Sequence, residues 1–213
     1  MPFLLGLCGG RGVGKDTAFG FIQQWAEGRG LTACRRSFAD KLKHSAALAL
    51  GFRVEEPDAV VLMDELKNLG EITTVIPDQS ILYTIDGRKF LQLYGTEAHR
   101  EVFGQNFWVD ALLPVLYDDN GSHDDSGWHA EFAFADICVT ADVRFVNEAE
   151  RIHELGGQIW EILRDTGTSD DHVSEAGLPD DQIDLKIPNF SSLDCFELEL
   201  HHAMTEHAKR GGS

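Results

Sequence analysis

The sequence is short of what a secreted, membrane-spanning or nucleic-acid-coating protein needs. Its four cysteines (Cys8, Cys34, Cys138 and Cys195) are scattered over 213 residues. No C-x-x-C pair and no histidine at zinc spacing accompanies them, which argues against both a disulfide framework and a structural zinc. Cys8, Cys34 and Cys138 lie in apolar runs, where a cysteine is usually a small buried hydrophobe. No apolar stretch approaches the length of a bilayer span, and no basic region precedes the first apolar run. Basic residues are also scarce. Eighteen Lys and Arg face 36 Asp and Glu, a net charge of −18, the wrong sign for displacing counterions from nucleic acid. There is no internal repeat and no low-complexity tract. These absences lead us to expect a soluble cytoplasmic protein with no membrane or nucleic-acid partner.

What is present is an ordinary globular composition, 43% hydrophobic and 25% charged, in a chain long enough for one α/β domain with an inserted lobe. Its most informative stretch is residues 3–17. An apolar run, 3–8, meets a glycine-rich turn with Gly9, Gly10, Gly12 and Gly14, which ends in Lys15 and opens a helix. This is the strand–loop–helix of a phosphate-binding P-loop. Successive backbone N–H groups curl around a phosphate, the helix N-terminus adds its dipole, and the lysine supplies a full charge. Gly10, Arg11, Gly12, Val13, Gly14, Lys15, Asp16 and Thr17 form the candidate nucleotide-binding segment. Asp16 stands where the G-x-x-x-x-G-K-[ST] pattern has a hydroxyl, and the hydroxyl follows at Thr17.

The rest of the chain alternates strand-like and helix-like segments. Strands are expected at 3–8, 32–38, 137–141, 158–163 and 184–187. Helices are expected at 15–28, 40–50, 57–69, 88–103, 106–117, 145–155 and 192–208, with 51–86 otherwise irregular. Such alternation predicts a three-layer α/β sandwich around a mostly parallel sheet, with ligands at the C-terminal strand ends. Asp40, Asp142 and Arg164 fall at such ends. Asp142 is either a Mg²⁺-organising acid or a helix cap. Arg144 places a cation beside it, and Glu148 is spaced to orient that arginine. Gln92, Thr96 and Arg100 recur at i, i+4 and i+8, so one helix face can present an amide, a hydroxyl and a guanidinium together. The alternative is a solvated face. Asp40 and Lys43, one turn apart, read as a surface pair or as substrate contacts, and Trp108 as core or stacking platform.

Taken together, these segments resemble the bacteriophage-type deoxynucleoside monophosphate kinases, a branch of the P-loop nucleoside monophosphate kinases. The resemblance is carried by 9–17, by Phe38-Ala39-Asp40-Lys41-Leu42-Lys43, and by Gly95-Thr96-Glu97 with Arg100. Asp142-Val143-Arg144-Phe145 with Asn147-Glu148, Gly156-Gly157, Arg164 and His172-Val173-Ser174-Glu175 complete it. It implies transfer of the ATP γ-phosphoryl group to a deoxynucleoside monophosphate, with Mg²⁺ as cofactor and a homodimer left open. It also implies residence in the host cytoplasm if the chain is phage-encoded.

On this reading residues 1–213 form a single P-loop kinase domain with a mostly helical acceptor-binding insertion at 51–130 and a lid-like segment at 165–182. Lys15, Asp142, Arg144 and Arg164 are the expected catalytic residues, with Asp16 and Asp142 organising Mg²⁺, directly or through water. Asp40, Lys43, Arg88, Gln92, Thr96, Arg100, Trp108, Arg144 and Glu148 are expected to contact the acceptor. The neighbouring readings are a small-molecule P-loop kinase acting on dephospho-coenzyme A, phosphomevalonate or a ribonucleotide, and an ATPase that needs no acceptor.

Overall fold

The structure is a computed structural model that describes residues 3–76, 81–113, 116–117, 123–124, 135–165 and 177–211. Within it the chain divides into two compact units, Phe38–Leu112 and the remainder. The larger unit is built on a five-stranded sheet in the order β2-β7-β1-β8-β9. Its strands are β1 (Phe3–Cys8), β2 (Ala33–Arg36), β7 (Ile137–Thr140), β8 (Gln158–Leu163) and β9 (Leu185–Pro188). All neighbours pair in parallel, and the inner strands are nearly continuous apolar runs, as strands covered on both faces must be.

On one face lie α1 (Lys15–Glu27) and the terminal α8 (Leu193–Gly211). Leu5, Leu7, Val139, Trp160 and Ile162 of the sheet are buried there with Ile22, Trp25, Phe196, Leu200 and Met204. Trp25 donates its indole N–H to Thr205 Oγ1 at 3.1 Å, tying the two helices. The opposite face carries α7 (Val146–Glu154). The predicted strands at 3–8 and 158–163 match to the residue. The strand expected at 32–38 is shorter, because α2 begins at Phe38.

The second unit contains α2 (Phe38–Ala49), α3 (Glu56–Leu69), α4 (Gly87–Gly95), α5 (Glu101–Phe103) and α6 (Phe107–Leu112). Ala46, Ala47, Ala59 and Met63 form its centre, with Leu50, Leu66, Phe90 and Tyr94 packed around them. Four expectations are corrected here. Helix α2, expected from residue 40, begins at Phe38, which puts Asp40 in its first turn. An antiparallel hairpin, β3 (Glu71–Ile76) with β4 (Ile81–Asp86), occupies part of the stretch read as irregular. Its β-branched residues Ile72, Thr73, Thr74, Val75 and Ile76 are a strand signal that the irregular reading passed over.

The third correction concerns the helix expected at 88–103. It is interrupted by a π-helical turn at Thr96–Arg100, closed by the Glu101 N–H on the Thr96 carbonyl. The helix expected at 106–117 ends at Leu112, and Leu116–Tyr117 (β5) pairs instead with His123–Asp124 (β6). The remainder of the acidic loop 118–131, the segment 166–176 and the motif at 172–175 lie outside the described residues.

Candidate active site

The loop between β1 and α1 has the shape its glycines prescribe. Gly9, Gly12 and Gly14 all have positive φ. At Gly9 a Cβ would lie 2.6 Å from the Ile162 carbonyl oxygen of β8, so no other residue fits. Val13 is buried in the core, and its carbonyl accepts a 2.7 Å hydrogen bond from the amide of buried Asn189, just past β9. The loop is thus pinned at its centre from a distant strand. Helix α1 starts from left-handed Gly14 with no side-chain cap, which leaves its first N–H groups directed at whatever binds the loop.

Lys15 lies back over the loop. Its ammonium donates to the Gly9 and Gly10 carbonyls at 2.7 and 3.0 Å and stands 3.2 Å from Asp142 Oδ1. The other Asp142 oxygen accepts from Arg144 Nε and Nη2 at 2.8 and 2.5 Å. One carboxylate therefore sits between two cations at the C-terminal end of β7. Asp142 itself has φ 64, the only positive value outside glycine among the described residues. Asp tolerates that left-handed conformation better than most side chains, and it turns the carboxylate back toward the loop. Burial pushes the Asp142 carboxyl up. The Arg144 hydrogen bond and the charges of Lys15 and Arg144 outweigh this and hold it below the usual carboxylate range.

Glu148, almost fully buried, accepts from the backbone N–H groups of Arg144 and Phe145 at 2.8 and 3.2 Å. It caps α7 and fixes the main chain that carries Arg144. Asp16 is 85% exposed along its side chain and pairs with Arg35 of β2 at 2.7 Å. Exposed pairs of this kind contribute at most about 1 kcal/mol, so a ligand can displace it. Thr17, exposed, lies one residue further along the first turn of α1. Arg164 stands exposed at the end of β8. Cys8, Gly9, Gly10, Arg11, Lys15, Val143, Arg144, Gly177 and Leu178 enclose a small cleft beside the loop.

The donor set has a bearing on Mg²⁺. Among the described residues no group of three or more His, Cys, Asp or Glu could enclose a metal. A site with one well-placed carboxylate, Asp142, and a nearby hydroxyl does not suit a protein-only cage. It does suit Mg²⁺, which is commonly held through one or two carboxylates, substrate phosphates and water.

The acceptor residues expected from sequence fall in the second unit. Arg88, Gln92, Thr96 and Arg100 are spaced four apart, the first three exposed and Arg100 half-buried. In a regular α-helix four residues overshoot a full turn by about 40°, so a row of four would drift around the axis. In the wider π turn four residues fall short of a full turn, and Arg100 swings back toward the line of Gln92.

The same turn sets Tyr94 and His99, five apart, ring against ring at 4.4 Å. His99 Nδ1 lies 2.6 Å from the Tyr94 carbonyl, which can only accept, so Nδ1 carries the proton. Trp108 is 3% exposed and gives its indole N–H to the Gly95 carbonyl at 3.0 Å. Burial makes it a wall that holds the Gly95-Thr96-Glu97 segment, not an open stacking face. Lys43 reaches Asp64 of α3 at 2.8 Å.

Sequence reading missed Asn189, the Arg35 partner of Asp16, and the His99 contact. Asn189 was within reach, since it ends a strand on the edge where ligands gather. The other two depend on contacts that no local pattern encodes.

A parallel α/β sheet with a P-loop after β1, an acid and an arginine after β7, and uncapped helix N–H groups defines a P-loop nucleotide-dependent phosphotransferase. Comparison with known proteins makes the class particular. Residues 42–200 match the family described as deoxynucleotide monophosphate kinase. A candidate deoxynucleotide monophosphate kinase of Acanthamoeba polyphaga mimivirus is 32% identical over 82% of this chain and 81% of its own. The deoxynucleotide monophosphate kinase of Escherichia phage RB69 is 32% identical over 50% of this chain and 40% of its own. The deoxynucleoside-5'-monophosphate kinase of Escherichia phage T5 is 26% identical over 95% and 96%. The chain belongs to the deoxynucleotide monophosphate kinase family. The match to the family model begins at Leu42, so the P-loop lies outside that match. No described helix is long and apolar enough to cross a membrane.

Proposed function

We propose that this chain transfers the γ-phosphoryl group of ATP to a deoxynucleoside monophosphate, with Mg²⁺ as cofactor, in the cytoplasm of a phage host. The observation that carries the assignment of roles is the Lys15–Asp142–Arg144 chain at the mouth of the P-loop. Phosphoryl transfer asks a protein for positioning and charge neutralisation more than for covalent chemistry, and this chain holds two cations about one acid.

Backbone N–H groups of 9–14 and of the first turn of α1 bind the ATP phosphates, and Thr17 contacts an inner phosphate oxygen. Lys15 leaves the Gly9 and Gly10 carbonyls for the transferring phosphate, guided by Asp142. Mg²⁺, when bound, neutralises phosphate oxygens, with Asp142 and Asp16 holding it or its waters. Arg144 faces developing charge on the transferring group, and Arg164, exposed at the end of β8, closes over it. The residues of the second unit take the acceptor. Arg100 and Arg88 bind its phosphate, Gln92 and Thr96 its nucleoside, and Asp40 and Lys43 form the rim. Exclusion of water protects ATP from hydrolysis.

The test is a panel of deoxy- and ribonucleoside monophosphates, dephospho-coenzyme A and phosphomevalonate, with ATP and Mg²⁺ and ADP release as readout. Turnover that requires a deoxynucleoside monophosphate is expected. ATP hydrolysis at the same rate without any acceptor would overturn the proposal.

A further inference from the structure

One cluster of reactive groups takes no part in phosphoryl transfer. Strand β2 is the edge of the sheet, and its Cys34 is paired in register with Cys138 of the neighbouring β7. Directly paired residues of parallel strands point to the same face, with backbones about 4.8 Å apart, inside the Cα separation a disulfide spans. Each thiol lies near enough to shift the other, and Cys138 Sγ also donates to the Ala135 carbonyl at 4.0 Å. Cys34 is partly exposed and Cys138 fully buried. One thiol is therefore reachable from solvent and the other waits behind it. Arg36 lies two residues along β2 on the same face, and Asp136 two residues before Cys138.

We propose that Cys34 and Cys138 form a thiol-modification site in which Cys34 attacks low-molecular-weight disulfides and Cys138 resolves the adduct. The Cys34 thiolate attacks one sulfur of a small disulfide, forming a mixed disulfide and releasing one thiolate. The Cys138 thiol loses its proton to solvent and attacks the Cys34 sulfur, which forms the intrachain disulfide and releases the second. Two protein thiols are oxidised, and one small disulfide is reduced to two thiols.

The electrostatics separate the two roles. The neighbouring Cys138 thiol pulls the Cys34 thiol down to about 7, burial opposes this, and the Arg36 charge adds to it. The same contact, with burial, pushes Cys138 up. Burial pushes Cys8 up to about 12, leaving it inert. Exposed Cys195 has no cysteine opposite it among the described residues, so its chemistry ends at an adduct.

The test uses the full reduced chain and oxidised glutathione at neutral pH, quenched with N-ethylmaleimide and mapped by peptide mass. The expected product is a Cys34–Cys138 disulfide, reversed by dithiothreitol, with Cys8 still a thiol. Cys138→Ser should stop at a glutathione adduct on Cys34, and Cys34→Ser should leave Cys138 unmodified. In the unmutated chain the pH midpoint of Cys34 alkylation should lie near 7, and it should rise in Cys138→Ala. Adducts confined to Cys195, or a midpoint that Cys138→Ala does not move, would overturn the proposal.

Discussion

The two units of the molecule hold their polar groups in opposite ways. In the sheet unit the residues about Asp142 are already committed. Lys15 has three oxygen partners, Arg144 grips Asp142 with two nitrogens, and Glu148 is spent on backbone N–H groups. In the helical unit Arg88, Gln92 and Thr96 stand exposed on one side of an irregular helix. The first arrangement is preorganised, so its charges are set before a ligand arrives and cost little reorganisation during transfer. The second depends on helix phase, which one π turn controls. Removing a group from the first should therefore lower kcat, and changing the second should mainly raise KM for the acceptor.

The largest effect is expected at Lys15. Lys15→Ala removes the P-loop ammonium that pairs with Asp142 and should lower kcat by about 10³-fold, the upper range for one preorganised donor. Its thermal transition should stay close to that of the parent, because the loop is pinned by Asn189 and Gly9 rather than by the lysine. Asp142→Asn comes next. Asn accepts the left-handed φ of 64, so the fold should persist while Lys15 and Arg144 lose their shared anion. A fall of about 10²-fold in kcat is expected. Steady-state kinetics with both substrates saturating would check both. A loss confined to acceptor KM would erase the distinction between the units.

The same distinction explains what could be read from the chain. The P-loop, Asp142 and Arg144 are set by short-range spacing next to apolar strands, and a local pattern captures them. The π turn is different. A 3.6-residue period reads 88–103 as one helix, and the helix-forming residues around Ala98 agree with it. What widens the turn is tertiary packing of His99 against Tyr94, Phe107 and Trp108, together with the indole bond to the Gly95 carbonyl. Asn189 could be suspected from its place at a strand end, but its bond to Val13 could not, because that partner lies 176 residues away in sequence. The β3–β4 hairpin was legible in its β-branched run and was passed over.

Arg100→Ala tests the helical unit directly. Losing one hydrogen-bonded charge contact costs about 1.5–3 kcal/mol, so acceptor KM should rise about 10- to 100-fold with KM for ATP unchanged. Inserting one alanine beside Ala98, an exposed residue inside the π turn, isolates helix phase from chemistry. It turns Arg100 by about 100° about the helix axis and leaves Arg88, Gln92, Thr96 and Arg100 all present. Acceptor KM should rise about tenfold, one charge contact weakened, while far-UV circular dichroism keeps its helical signal. An unchanged acceptor KM would mean that the face needs its residues but not their alignment.

The smallest effect is expected from pH. The Asp142 carboxyl is held below its ordinary 3.8, because the Arg144 hydrogen bond and the two cations outweigh burial. A depressed carboxylate contributes stability above the unfolded-state value and loses it as pH falls through the lower folded-state midpoint. Between neutrality and about pH 5 the Lys15–Asp142–Arg144 chain should therefore stay intact. Carbon-13 NMR of the Asp142 carboxyl should show a midpoint below 3.8, and it should move up in Arg144→Ala, where burial meets less opposition. Any acid limb in kcat above that range then belongs to the nucleotides or to the exposed groups of the helical unit. A midpoint at or above the ordinary value would mean that burial governs Asp142, and the sheet unit would lose the preorganised anion that sets it apart.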